Sequence, residues 1–382
     1  MPVTSVHIDT ATTWRGGQNQ VMLTVTGLSG LGHPAVLVAN KRGELAQRAQ
    51  EGLRFVPFSP KSEFDVHAAW QLARVFADVR PDVIHAHDPH AVALAAMALK
   101  APLRQGLPKP LFVASRRVDF HLQRHAFSRW KNNQVDVWVC ASALIAQMLE
   151  HDGIPAGRIA VVHEGVNISQ IDKVPTVDAH AAFFLPHNAP IVGNVAALVP
   201  HKGQKHLVGA AARVVREVPD ARFVILGEGE LREPLERQIK ELGLERHVIL
   251  GGFRDDVIGL IKSFDLFVMS SVTEGLGTSI LDAMACAKAV VGTRTGGIPE
   301  AIRENETGLL VPPHDEASLA SAVLLLLKDP ALRARMAASG RQRAAEYFGV
   351  DRMVSETLAV YQSRLPSASD TPGSRGGAEN AE

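Results

Sequence analysis

Cysteine is scarce in this 382-residue chain, formal net charge is nil, and no apolar run is long enough to cross a bilayer. The two cysteines, Cys140 and Cys286, stand 146 residues apart in apolar strings. They fit no metal-ligand spacing and read as buried thiols in a reducing compartment. Forty Lys and Arg offset forty Asp and Glu, so no global field draws the chain to nucleic acid, and none is expected as a partner. The runs Ala91–Leu99 and Ala322–Leu327 stop at Lys100 and Lys328, short of the roughly 20 residues of a spanning helix. Met1–Asp9 lacks the basic start and apolar stretch of a signal peptide and reads as a first strand. A cytoplasmic location is the expectation. The first βα turn has no GxGxxG fingerprint, which argues against a nicotinamide cofactor there.

Short apolar runs alternate with amphipathic stretches from end to end, the pattern of parallel sheets built from βαβ units. Strands are predicted at 3–8, 35–39, 54–57, 83–85, 111–114 and 135–139, and again at 191–195, 222–226, 247–250, 266–269, 289–292 and 308–311. Leu231, Leu235, Ile239 and Leu242 line one face of a helix whose other face is charged. Residues 166–190 carry Pro175, Pro186 and Pro190 with little periodicity and are the expected linker and hinge. The expected organisation is therefore α/β, with an N-terminal domain over 1–175 and a C-terminal domain over 186–349. The Ser-, Gly- and Pro-rich residues 366–382 are expected to be a disordered tail.

The densest chemistry runs from Ser270 to Asp282, between a predicted strand and an apolar helix over 280–287. In an open α/β sheet, ligands bind beyond the carboxyl ends of strands, and glycines there expose amides at a helix N-terminus. An anion is the expected guest of Gly275, Leu276, Gly277 and Thr278. Glu274 and Asp282 lie at most about 12 Å apart along the helix axis, near the reach of a sugar, diphosphate and ribose. Each carboxylate would then accept hydroxyl hydrogen bonds at one end of that ligand. The bland alternatives are a Glu274 that complements the helix macrodipole and an Asp282 that is merely solvated.

Glu274 to Asp282 resembles the E-x7-E element of retaining glycosyltransferases of the GT-B fold, family 4 in particular, with Asp as the second acid. The resemblance is supported by Asp82-Val83-Ile84-His85-Ala86-His87, Lys202-Gly203, Leu226-Gly227-Glu228-Gly229 and Gly296-Gly297-Ile298-Pro299-Glu300, and it spans the chain from Gly16-Gly17 to Leu365. It implies two Rossmann-like domains facing a central cleft, with the helix 350–364 returning to the first. It also implies that Lys202, expected to open a helix over 206–216, meets a donor diphosphate, that Glu274 positions the sugar, and that Gly16 and Gly17 approach phosphate. Phe253 and Arg254 fall in the base-binding loop. Where the family carries an Arg beside the diphosphate this chain has Ala197, and Arg254 or Arg294 is the candidate replacement. On the acceptor side Arg116 or Arg117 stands where many members have a histidine, and His87, Asp119 and His121 are further candidates.

The resemblance implies no cofactor beyond a nucleotide-diphosphate sugar as co-substrate, and no required metal; no clear Asp-x-Asp motif is present. Residues 100–131 hold eight Lys or Arg against Asp119 alone, interleaved with Phe120, Phe127 and Trp130, and a basic, aromatic-bearing helix is expected over 123–132. This reads either as contact with an anionic membrane surface or lipid-linked acceptor at the inner face of the cytoplasmic membrane, or as a solvated face whose aromatics pack inward. The expected activity is retaining transfer of a sugar to a hydroxyl of a glycan or lipid-linked acceptor, in cell-envelope polysaccharide or glycolipid synthesis. A GT-B epimerase or phosphorylase, and a non-catalytic sugar-nucleotide-binding partner, are the rival readings.

Overall fold

Alternating apolar runs and amphipathic helices give two wholly parallel sheets in the computed structural model, which describes residues 2–49 and 52–365. The expected tail, 366–382, lies outside the described residues. The first sheet contains β1 (Ser5–Asp9), β2 (Ala35–Asn40), β3 (Arg54–Phe58), β4 (Val83–Ala86), β5 (Leu111–Arg116), β6 (Val137–Cys140) and β7 (Ile159–Val161), ordered β3-β2-β1-β4-β5-β6-β7. The second contains β8 (Ile191–Val195), β9 (Arg222–Leu226), β10 (Val248–Gly252), β11 (Leu266–Met269), β12 (Ala289–Thr293) and β13 (Gly308–Val311), ordered β10-β9-β8-β11-β12-β13. Each order reverses once, between β1 and β4 and between β8 and β11. The loops that leave those strands flank a crevice in each sheet.

Period-two alternation sorts the strand residues between faces. Val6 and Ile8 of β1 join Ile84, Phe112 and Trp138 on one face of the first sheet. Leu37, Val83, Val113 and Val139 lie on the other face, under the helices Gly16–Gly30 and Val350–Arg364. That second face also carries the buried polar residues Ser5, His7, His85 and Ser115. Val354 packs against Gly27, and Tyr361, fully buried, donates to or accepts from His85 Nδ1 at 2.6 Å. The C-terminal helix thus belongs to the core of the first sheet.

The structure revises three sequence expectations. Residues 166–190 are not an irregular linker: they contain the helices Ile168–Lys173 and Ala179–Ala182, Ala179 is fully buried, and Val177 N donates to Gly259 O at 3.0 Å. The chain crosses between sheets at two adjacent points, where Val166 N donates to Phe348 O at 2.8 Å and Val350 N to Val166 O at 3.1 Å. Lys202 does not open a helix; it ends the short turn Pro200–Lys202, and the helix Gln204–Glu217 starts after Gly203. The basic helix begins at Ala126, with the His125 ring capping Ser128 N at 3.2 Å.

Candidate functional site

The two switch-point crevices face one another across a cleft of about 1500 Å³. Its C-terminal wall is made by the loop after β8, which ends in Lys202, and the loop after β11, which carries Glu274. Lys202 Nζ meets Glu274 Oε2 at 2.5 Å, and Ser271 Oγ donates to the same oxygen at 3.0 Å. Glu274 is only 9% exposed. A cation near a helix N-terminus is unfavourable unless an anion answers it; here the answering anion is Glu274.

Why the Glu274 loop sits where it does follows from backbone contacts. Thr293 Oγ1 donates to Ser271 O at 2.5 Å, Thr295 Oγ1 to Val272 O at 2.7 Å, and Gly297 N to Glu274 O at 3.0 Å. Gly296, at φ 56°, lies so close to the Glu274 backbone that any β-carbon would overlap the carbonyl. The Gly296-Gly297 pair therefore acts as a cradle for the Glu274 loop. Beyond the loop, the first turn of the helix Thr278–Ala285 lines the cleft at Thr278 and Ser279, and Asp282 lines it four residues after Thr278.

The N-terminal wall comes from the loops after β1, β4 and β5. Gly16 is packed so closely on Thr278 that a methyl there would overlap the threonine hydroxyl. The predicted acceptor-side residues His87, Arg116, Arg117, Asp119 and His121 all line the cleft, but in different settings. Asp119 Oδ2 accepts from Glu274 N at 2.8 Å, so its carboxylate joins the two walls. Arg117 lies 3.4 Å from Glu164 and 3.3 Å from His87 Nδ1. Arg116 donates to the Phe120 carbonyl, and His121 pairs with Asp152 at 2.9 Å at the exposed rim. A further cross-domain contact lies below: the Glu300 carboxylate accepts from Ala143 N at 2.9 Å, Leu144 N at 3.1 Å and His163 Nε2 at 3.0 Å, capping a helix of the opposite domain.

Of the predicted donor-side residues, Gly16, Gly17, Phe253, Arg254, Gly275, Leu276, Gly277, Thr278 and Asp282 all reach the cleft wall. Leu276 does so through its backbone, since its side chain is buried in the core. Arg254 is clamped by Asp256 at 2.8 and 2.5 Å. Arg294 pairs with Glu304 at 2.6 Å and is not part of the wall.

Glu164 is the group the sequence did not single out. It follows β7 at the point of chain crossing, is buried, and faces Arg117. Burial, opposed by Arg117 and reinforced by the Glu274 charge, lifts its carboxyl to about 7. Asp282 is pushed to about 7 as well, by burial and then by Glu164. Two acids with raised proton affinity lining one cleft are candidates for a functional site. Beneath the wall, His7, His85 and His87 come together with ring nitrogens within 4.8 Å of one another. Every one of those nitrogens already has a partner among Ser5, Ser115, Tyr361, Arg117 or another ring of the trio. Burial drives His7 to about 3 and holds His85 and His87 well below the ordinary range, so the trio is a neutral hydrogen-bonded support for the β4 end, without free nitrogens for a metal.

Residues 178–343 match the family described as Glycosyl transferases group 1, and residues 14–170 match Glycosyltransferase Family 4. Lipopolysaccharide core biosynthesis glycosyltransferase LpsE of Rhizobium meliloti (strain 1021) is 30% identical over 285 residues, covering 75% of this chain and 77% of that protein. The chain belongs to the group 1 glycosyltransferases. A mycolicibacterial relative, GDP-mannose-dependent alpha-(1-6)-phosphatidylinositol monomannoside mannosyltransferase of Mycolicibacterium smegmatis, is 36% identical over 41% of this chain and 44% of its own. Anabaena HepE, crystallised with UDP and glucose, superposes with a TM-score of 0.80 at 20% identity, covering 94% of this chain and all of that one. The fold of this glycosyltransferase is thus GT-B. Among its described residues no helix is long and apolar enough to cross a membrane.

Proposed function

We propose that this glycosyltransferase transfers a sugar, with retention, from a nucleotide-diphosphate sugar to a hydroxyl of a glycan or lipid-linked acceptor in polysaccharide or glycolipid synthesis. The observation that carries this reading is the Lys202–Glu274 pair at the switch point, 2.5 Å apart and facing the Gly16 loop. A donor would exchange the pair for better partners: its diphosphate takes Lys202 and the first amides of Thr278–Ala285, and its sugar hydroxyls take Glu274. As the bond from the anomeric carbon to the diphosphate oxygen breaks, negative charge grows on that oxygen beside Lys202, where fixed charge lowers the barrier most. Glu274 positions the sugar, and the acceptor hydroxyl approaches from the same face.

The roles that LpsE and the phosphatidylinositol monomannoside mannosyltransferase are named for favour an envelope acceptor. A seat on an anionic membrane draws support from a smaller surface than the sequence suggests. Lys109 pairs with Asp136, Lys131 pairs with Glu63, Arg104 is buried, and Arg116 and Arg117 belong to the cleft. What faces outward without an acid partner is Lys100, Arg124 and Arg129, the last two beside the stacked Phe127 and Trp130, joined by Phe64, 58% exposed and 4.5 Å from Phe127. No step of this reading uses a metal.

Thermal unfolding with UDP-, GDP- and ADP-sugars tests the donor site, because specific binding raises the melting temperature by mass action. No shift with any of them would overturn the reading. The anomeric configuration of the product, read by NMR, separates retention from inversion, and nucleotide release without acceptor would point instead to an epimerase or phosphorylase.

A further inference from the structure

We propose that Arg15 supplies the second cation for the donor diphosphate, so that the charge absent at Ala197 is replaced from the opposite domain when the cleft closes. This rests on the nucleotide-sugar reading of the cleft.

The other cations of the wall are already engaged. Arg48 bridges Glu44 and Asp255, Lys131 holds Glu63, Arg117 faces Glu164, Arg254 is clamped by Asp256, and Arg116 donates to the Phe120 carbonyl. Lys202 is held by Glu274, a partner inside the site itself. Among the described residues, Arg15 is the one arginine or lysine of the cleft wall with neither an ion pair nor a hydrogen bond from its side chain.

Its position is also costly in isolation. Arg15 is the N-cap of the helix Gly16–Gly30, with extended backbone and no capping side chain, where the macrodipole opposes a positive charge. Serine, threonine, aspartate or asparagine would serve the helix better. An anion in front of it would offset that repulsion by attracting both.

The geometry supplies a place for the anion. Gly16, the next residue, is packed on Thr278 at the first turn of the donor-side helix. On its other side Arg15 is near enough to His201, the neighbour of Lys202, for its charge to add to burial and to Lys202 in lowering that imidazole. Arg15 therefore lines the cleft beside the first turn of the donor-side helix, on the wall opposite Lys202, where a diphosphate would lie. A planar guanidinium can hold two phosphate oxygens at once, which a lysine ammonium does less well. Ala197 lines the same cleft and offers no charge.

Calorimetric titration of UDP, GDP and ADP into the wild-type protein first identifies the base. The matching nucleoside diphosphate and monophosphate are then titrated into wild type, Arg15→Ala, Arg15→Gln and Arg15→Lys. Loss of Arg15 should weaken the diphosphate about tenfold or more and the monophosphate less than about twofold, with Arg15→Lys recovering part of the difference. In transfer assays kcat should fall in the same order. Equal affinity of Arg15→Ala and wild type for the diphosphate would overturn the proposal, as would equal losses for both nucleotides. Arg15→Gln decides the matter if the alanine variant melts earlier than wild type. A wild-type protein that binds none of the three diphosphates would instead remove the donor reading on which the inference stands.

Discussion

Replacing Asp282 with Asn should make the protein more stable above neutral pH while weakening its grip on donor. The side chain lies four residues into the helix Thr278–Ala285, half-buried, and accepts no hydrogen bond from any described group. Burial, and then the Glu164 charge, raises its carboxyl from 3.8 to about 7. Between these values the folded protein keeps a proton that the unfolded chain has released, so stability falls as pH rises through that window and the loss is complete above it. A shift of this size corresponds to a ceiling of roughly 4 kcal/mol. Part of the carboxylate is open to cleft water, and part of the repulsion belongs to Glu164, so about 1 to 2 kcal/mol should be realised. For domains of this size that is a rise of roughly 2 to 8 °C in melting temperature. Thermal unfolding of both proteins at pH 8 and at pH 4.5 reads it directly: the gain should be full at pH 8 and smaller at pH 4.5, near the low end of the window. Equal melting temperatures at pH 8, or an equal gain at both pH values, would refute the reasoning.

Glu274→Ala should reduce kcat/KM at least about 100-fold, as expected when a group that orders the transition state is removed, with the circular dichroism spectrum unchanged; an active variant would sink the role given to Glu274. Gly16→Ala should lower kcat without moving the melting temperature, because its methyl meets the Thr278 hydroxyl only when the walls are together; the double variant Gly16→Ala, Thr278→Ala should regain activity, and failure to do so would locate the damage elsewhere. Tyr361→Phe removes the 2.6 Å contact to His85 and leaves a buried ring nitrogen unpaired, which should cost about 1 to 3 kcal/mol in denaturant unfolding. A loss too small to measure would show that His85 finds another partner.

The sheets were legible because buried parallel strands are short apolar runs, and 266–269 or 308–311 can hardly be read otherwise. β7 escaped for the opposite reason: Ile159–Val161 is a three-residue edge strand with one exposed member and no pattern to extend. The prolines of 166–190 suggested irregular chain, yet Ala179 is buried through contacts with residues near Gly259 and Ser263. Local punctuation carries no information about such distant partners. The excess of positive charge in 100–131 is partly answered in the same way, since Glu63 and Asp136, which pair with two of its lysines, lie outside the segment.

Within the site, Lys202, Glu274 and Asp282 were readable from their loops, whereas Glu164 was not, because nothing around His163-Glu164-Gly165 marks it until β7 delivers it to the chain crossing. The same distinction explains the roles that only three dimensions reveal. Asp119 binds the Glu274 amide, Gly297 binds the Glu274 carbonyl, and Gly16 abuts Thr278 four residues further on. Contacts between the domains thus converge on the loop that carries the candidate chemistry. Separating the walls would free the Glu274 amide from Asp119 and part Gly16 from Thr278 together. On the donor reading proposed above, closure and completion of the site would be one event, with an encounter with water in the open state the less reactive one.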